Sequence, residues 1–182
     1  MEMNKAVFLD LNGTLVLPLR QESLAEIEPI PGANLAVEKL LAAKFICPVV
    51  TIQSGIAKGR FTEQEFRYWF SAFFGGLKLD VRRPYVCPHR FAEDCVCKKP
   101  NPFLYQQAAK DYGIDLSRSY VIGDTAWDVM AGKNMGGQGC LVRTGCAVDE
   151  AEYQKALPHA AYTGSTLGDV VQWILKHEQT GE

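Results

Sequence analysis

The sequence predicts an α/β fold: a three-layer sandwich in which a mainly parallel, Rossmann-like sheet is covered by helices on both faces. Three observations lead there. Apolar runs of strand length alternate with stretches of helical period along most of the 182 residues, the pattern of parallel strands joined by crossover helices. Several strand-like runs end in Asp or Thr, and the carboxyl ends of strands are where open parallel sheets bind ligands. No repeat, low-complexity tract or Pro/Ser-rich linker divides the chain, so residues 1–182 are expected to form one domain.

The elements follow in order. Ala6–Leu9 is an apolar strand that leads into Asp10-Leu11-Asn12-Gly13-Thr14. Asn34–Lys44 has helical period, with Leu35, Val37, Leu40 and Leu41 predicted to face inward, and Ile46–Thr51 is the second strand. Thr62 with Glu65 three residues later makes a capping box. The helix it opens carries Phe66, Trp69, Phe70 and Phe73 at helical spacing, a stripe read as core. Pro84–Val86 is a short strand. Asn101–Tyr112 is a helix with Pro102 in its first turn and Gly113 at its end. Ser119–Ile122 and Gly139–Val142 are strands, Trp127–Met135 a helix and Leu167–Lys176 a closing helix, after which residues 178–182 are expected to fray. These elements use up the chain between Asp10 and Thr51 and between Thr51 and Lys99, which leaves no room for a cap domain.

A second signal is chemical. Residues 87–97 hold Cys87, His89, Cys95 and Cys97, and three thiolates with one imidazole suit a closed, tetrahedral, structural Zn²⁺. The bland alternatives are unrelated thiols or two disulfides, but clustered cysteines in a cytosolic chain more often bind metal. Cys47, Cys140 and Cys146 read as ordinary buried or half-buried thiols.

Composition excludes whole classes. With 47% hydrophobic and 22% charged residues the chain is neither disordered nor membrane-like, and a net charge of −2 offers no broad basic footprint for nucleic acid. No apolar run approaches about 20 residues, and the N-terminus passes straight into a strand with no secretory pattern. The expectation is a cytoplasmic monomer that meets a small phosphorylated metabolite, with no nucleic-acid or membrane partner.

The strand ends supply the reaction chemistry. Asp10 follows the first strand, Thr51-Ile52-Gln53-Ser54 ends the second, and Gly123-Asp124-Thr125-Ala126-Trp127-Asp128 follows Val121-Ile122. Two carboxylates from separate strands can hold a hard cation such as Mg²⁺, which prefers oxygen and shares phosphate oxygens with its substrate. A Thr or Ser hydroxyl and the Lys98–Lys99 pair suit a transferring phosphoryl group. Each motif alone is weak; Asp10 to Thr14 taken singly could be an Asn-Gly turn. Their order, each directly after a strand, is what carries weight.

In these residues the chain resembles the haloacid dehalogenase (HAD) superfamily of phosphatases. Thr51–Gly59 and the block from Cys87 to Pro100 resemble its D,D-heptose 1,7-bisphosphate phosphatase and histidinol-phosphatase branch. The resemblance implies a Mg²⁺-dependent phosphomonoester hydrolase that works through an aspartyl-phosphate, acting on a sugar phosphate such as D-glycero-D-manno-heptose 1,7-bisphosphate, or on histidinol phosphate. It implies that Asp10 is the nucleophile and that Asp10, the backbone carbonyl of Asn12 and Asp124 bind Mg²⁺, with Asp128 in support. Thr51 and Lys99 would hold the phosphate, and Gln53, Ser54 and Lys98 would contact substrate. Cys87, His89, Cys95 and Cys97 would hold a structural Zn²⁺.

One departure matters. The family has a general acid-base Asp two residues after the nucleophile, and here that residue is Asn12. An amide can neither give nor take the proton, which slows catalysis by about 10²–10⁴-fold. The alternative reading is therefore a degenerate phosphatase that binds a phosphorylated ligand or partner without efficient turnover. Thr125, where the heptose phosphatases often carry Lys, weakens the case for that substrate. A zinc-ribbon-like nucleic-acid binder is the third reading. It leaves Asp10, Thr51 and Asp124 unexplained, and the one-residue spacing inside each ligand pair differs from finger spacing.

Overall fold

Why the chemistry gathers at one rim follows from strand order. A computed structural model describes residues 3–77 and 79–180. Its elements are β1 (Val7–Leu9), β2 (Val16–Leu17), β3 (Glu28–Pro29), α1 (Ala33–Ala42), β4 (Pro48–Ile52), α2 (Ser54–Ala57), α3 (Glu63–Gly76), β5 (Arg82–Cys87), α4 (Phe103–Tyr112), β6 (Tyr120–Gly123), α5 (Ala126–Asn134), β7 (Gln138–Val142), α6 (Glu150–Ala156), β8 (Tyr162–Gly164) and α7 (Leu167–Thr180). The main sheet has six strands in the order β5-β4-β1-β6-β7-β8, every neighbouring pair parallel. The chain builds outward from β1 through β4 to β5, then returns to the other side of β1 with β6. That reversal opens a crevice at the carboxyl ends of β1, β4 and β6, where sheets of this kind bind ligands.

Side-chain alternation makes the three layers. Val7 and Leu9 of β1 pack with Val37, Leu40, Phe66, Phe70, Val170 and Ile174 from α1, α3 and α7. Ala6 and Phe8 face the other way, with Val50, Val121, Leu104, Tyr105 and Ala131. Phe66 is fully buried, and removing such a side chain from water stabilises the fold by roughly 1.5–3 kcal/mol. The Thr62–Glu65 capping box is present.

The structure differs from the expectations in definable ways. Leu35 is 58% exposed: the buried stripe of α1 is Ala33, Ala36, Val37 and Leu40, and Leu35 falls outside that phase. The β2–β3 hairpin, α2, α6 and β8 were not foreseen. Each has seven residues or fewer, too few for a period to show. The expected fraying after His177 is corrected for residues 178–180, because α7 continues to Thr180 and Glu178 accepts a hydrogen bond from Tyr120 Oη at 2.8 Å and pairs with Lys5. Residues 181 and 182 lie outside the described residues. Between β1 and β4 stand the small hairpin, α1 and short turns, so among the described residues no cap covers the crevice. No helix there is long and apolar enough to cross a membrane.

Candidate active site

Phe8 of β1 lies on the α4–α5 face, and Asp10, two residues on, continues toward the same side. Its backbone N–H still donates to the Ile122 carbonyl at 2.9 Å, which extends the pairing with β6. Lys99, buried at the end of the cysteine loop, donates from Nζ to Asp10 Oδ1 and to Asp128 Oδ1, each at 2.6 Å. The other oxygen of Asp128 accepts from the backbone N and Oγ1 of Thr125 at 3.1 and 2.6 Å, closing a capping box that starts α5. Asp128 thus ties the helix start to the ammonium group. Asp124, just past β6, accepts at Oδ2 from the Cys146 backbone N–H at 2.6 Å. Two glycines make room for it: a Cβ on Gly13 or Gly145 would fall on the Asp124 carboxylate, and Gly13 has φ +90° besides.

Charge is unbalanced here. Oxygens of Asp10, Asp124 and Asp128 lie within 4.8 Å of one another, against the single ammonium of Lys99. Burial, opposed by Lys99 and reinforced by the charges of Asp128 and Asp124, pushes Asp10 up to about 8. Burial and the Asp128 charge push Asp124 up to about 6. Burial works against the Lys99 charge, yet the carboxylates of Asp10 and Asp128 more than offset it and hold its pKa well above the ordinary lysine value. A buried, oxygen-only donor set short of positive charge fits a hard divalent cation such as Mg²⁺. Binding one must displace protons, so Mg²⁺ affinity measured by calorimetry should strengthen as pH rises from 6 to 8.5. The gain should approach about tenfold per pH unit for each proton displaced. A flat profile would mean that the carboxylates are already ionised.

Beside the carboxylates runs a closed circuit of amides. Gln53 Nε2 donates to Thr51 Oγ1 and to Asn12 Oδ1, both at 2.9 Å. Gln53 Oε1 accepts from Gln21 Nε2 at 2.9 Å, and Gln21 Oε1 accepts from Asn12 Nδ2 at 3.0 Å. Asn12 Nδ2 also donates to the Pro18 carbonyl at 2.9 Å. Gln21 was not anticipated, because a lone amide in an irregular loop carries no sequence signal.

The cysteine loop has metal-site geometry. The Cys87 and Cys95 sulfurs are 3.6 Å apart and those of Cys95 and Cys97 3.7 Å, while His89 Nδ1 lies 3.7 Å from Cys87 Sγ and 3.2 Å from Cys97 Sγ. A tetrahedron with metal–sulfur bonds of about 2.3 Å has edges of roughly 3.8 Å. These separations are far beyond the ~2.05 Å of a disulfide, and all six cysteines are free. Burial, eased by a hydrogen bond from the His89 backbone and then reinforced by the thiols of Cys97 and Cys95, pushes Cys87 up to about 12.

A cavity of about 1190 Å³ opens over the site, lined among others by Asp10, Asn12, Thr51, Gln53, Ser54 and Lys99. Lys98 lies apart from the others. It is not among the lining residues; its Nζ donates to the Phe91 carbonyl at 2.9 Å and to that of Glu93, inside the cysteine loop. A lysine next to a buried partner must point elsewhere, and here the loop's own carbonyls capture it. The wall also includes two aromatic rings, Phe91 and Trp127.

Comparisons with known proteins bear on the fold and the family. A family model described as HAD-hydrolase-like matches residues 96–170. The chain is 34% identical to the D-glycero-beta-D-manno-heptose-1,7-bisphosphate 7-phosphatase of Pasteurella multocida over 159 residues, 81% of this chain and 86% of that protein. It is 36% identical over 166 residues to the enzyme of the same name from Haemophilus ducreyi, covering 84% and 90%. Among solved structures, D,D-heptose 1,7-bisphosphate phosphatase from B. bronchiseptica, complexed with magnesium and phosphate, superposes with a TM-score of 0.81 at 26% identity, over 95% of this chain and 99% of that one. Similarity at this level over most of both partners, joined to the fold and the carboxylate cluster, places the chain: it belongs to the HAD-like phosphatases, in the family that includes the heptose-1,7-bisphosphate 7-phosphatases.

Proposed function

We propose that the protein hydrolyses a sugar phosphate of the heptose-bisphosphate type, through an aspartyl-phosphate on Asp10 and with Mg²⁺ as cofactor. The observation that carries this is the buried Asp10–Lys99–Asp128 group beside Asp124, at the floor of an uncapped cavity. A carboxylate oxygen of Asp10 attacks phosphorus, and the bond from phosphorus to the sugar oxygen breaks. Thr51 Oγ1 and Lys99 Nζ hold phosphate oxygens, and Lys99 keeps Asp10 oriented. The leaving sugar oxygen takes its proton from solvent, since Asn12 has none to give. Water then attacks phosphorus of the aspartyl-phosphate, which frees Asp10 and inorganic phosphate and splits one hard displacement into two. Asp10, the Asn12 carbonyl and Asp124 would hold the Mg²⁺, which would supply positive charge for the phosphoryl oxygens. Cys87, His89, Cys95 and Cys97 would hold a structural Zn²⁺, a reading supported by their donor types and mutual spacing.

A second reading has its own support. Both Nδ2 hydrogens of Asn12 and its Oδ1 are engaged by Pro18, Gln21 and Gln53, an arrangement that suits a binding protein which holds a phosphorylated ligand without turnover. Phosphate release from heptose 1,7-bisphosphate, histidinol phosphate and acetyl phosphate, with and without Mg²⁺ and with Asp10→Ala as the blank, separates the two. Mg²⁺-dependent release of the sugar's phosphate is the expected result; tight binding with release no faster than the blank would establish the second reading.

A further inference from the structure

We infer that Phe91 and Trp127 form a stacking subsite for the substrate's body, so that the substrate carries a ring, and that Lys98 serves this subsite by positioning Phe91. The inference rests on the phosphatase reading of the Asp10 site. The two rings have centroids 5.8 Å apart and planes tilted by 38°, and both line the cavity over Asp10. Trp127 directly precedes Asp128, which fixes it beside the phosphate end of the cavity. Phe91 is 54% exposed.

A ring more than half exposed forgoes much of the stabilisation that burial would give, yet the backbone beneath this one is heavily restrained. The ligand-type residues His89 and Cys95 flank it, Lys98 Nζ donates to its carbonyl, and Arg90 Nη2 donates to the Ala57 carbonyl at 3.3 Å. The effect is to present a ring face that is already in place before any ligand arrives, which lowers the ordering cost of binding. A phosphate group fills only a small part of a cavity of about 1190 Å³. Aromatic faces take the C–H face of a sugar ring or the flat face of a heterocycle. An open-chain phosphate ester offers neither.

The position of Lys98 sharpens the point. As a phosphate ligand it would serve every ester alike. As the group that holds Phe91 it serves only esters with a ring.

The test compares mannose 6-phosphate, a nucleoside 5′-monophosphate, glycerol 3-phosphate and acetyl phosphate on the full-length protein. Phe91→Ala and Trp127→Ala should each lower kcat/KM for the favoured ring ester about tenfold through KM, and leave acetyl phosphate within about twofold. Phe91→Tyr keeps the ring and should keep activity. Lys98→Met should reproduce the Phe91→Ala pattern, with Lys98→Arg restoring it. The two ring esters separate a carbohydrate from a heteroaromatic body. Equal losses on ring and open-chain esters would overturn the inference, as would a ring ester unaffected by loss of either aromatic; an acetyl phosphate defect in Lys98→Met as large as the ring-ester defect would return Lys98 to the phosphate. If no ester is hydrolysed, the same comparison by equilibrium binding decides. Ring-selective affinity lost in Phe91→Ala would uphold the subsite while the phosphatase reading fails, and ring esters bound no better than glycerol 3-phosphate would remove the subsite.

Discussion

Replacing Asn12 with Asp is expected to raise kcat on a sugar phosphate by about 10²–10⁴-fold, the usual contribution of a positioned general acid. Asn12 lines the cavity and stands two residues after the proposed nucleophile. The structure adds a reason to expect the new carboxyl in its useful form. In place of Nδ2 it would present an oxygen to the Pro18 carbonyl and to Gln21 Oε1, which accept from the amide at 2.9 and 3.0 Å. Gln21 could turn its amide and donate only by giving up its bond to Gln53 Oε1, and a backbone carbonyl cannot donate at all. The carboxyl therefore gains by keeping its proton against Pro18, and a protonated carboxyl is what a departing alkoxide needs. Acetyl phosphate, whose leaving group needs little protonation, should gain least. An equal gain on both esters would show that position 12 acts on something other than the leaving oxygen.

Replacing Lys99 with Met should do the most damage to stability as well as abolish turnover. The ammonium lies buried between two carboxylates at 2.6 Å from each, and removing one member of a buried ionic group costs about 3–5 kcal/mol because the partners are left uncompensated. Domains have only about 5–15 kcal/mol in hand. For a chain of this length that corresponds to a fall in Tm of about 10 °C, and Mg²⁺ should recover part of it by replacing the lost positive charge. An unchanged Tm would mean that Asp10, already pushed up to about 8 by burial, simply takes a proton and neutralises the cluster.

Much of this was legible in the residues, and for a physical reason. Asp10, Thr51 and Asp124 each stand at a strand end, so reading the strands from their apolar runs also placed the carboxylates on one rim. Metal-ligand chemistry is similarly local: Cys87, His89, Cys95 and Cys97 are neighbours in sequence before they are neighbours in space. What stayed hidden depends on side-chain direction. Lys98 and Lys99 are adjacent and chemically alike, yet one is buried against Asp10 and the other caps loop carbonyls. Gln21 meets Gln53 across 32 residues, and only tertiary structure brings such amides together. Leu35 is an ordinary helix residue on the wrong phase of α1. The short edge strand β8 and the β2–β3 hairpin are held by the sheet and loops around them rather than by a pattern of their own.

Gly13 and Gly145 come from distant parts of the chain, yet each is shaped by the same carboxylate. Because a methyl group at either place would collide with Asp124, and because the Cys146 N–H bonds one of its oxygens, the seat of this aspartate is made jointly by the loops that follow β1 and β7. A side chain added in either loop would displace the carboxylate without touching any donor atom, so loss of cation binding can originate at positions that carry no ligand of their own.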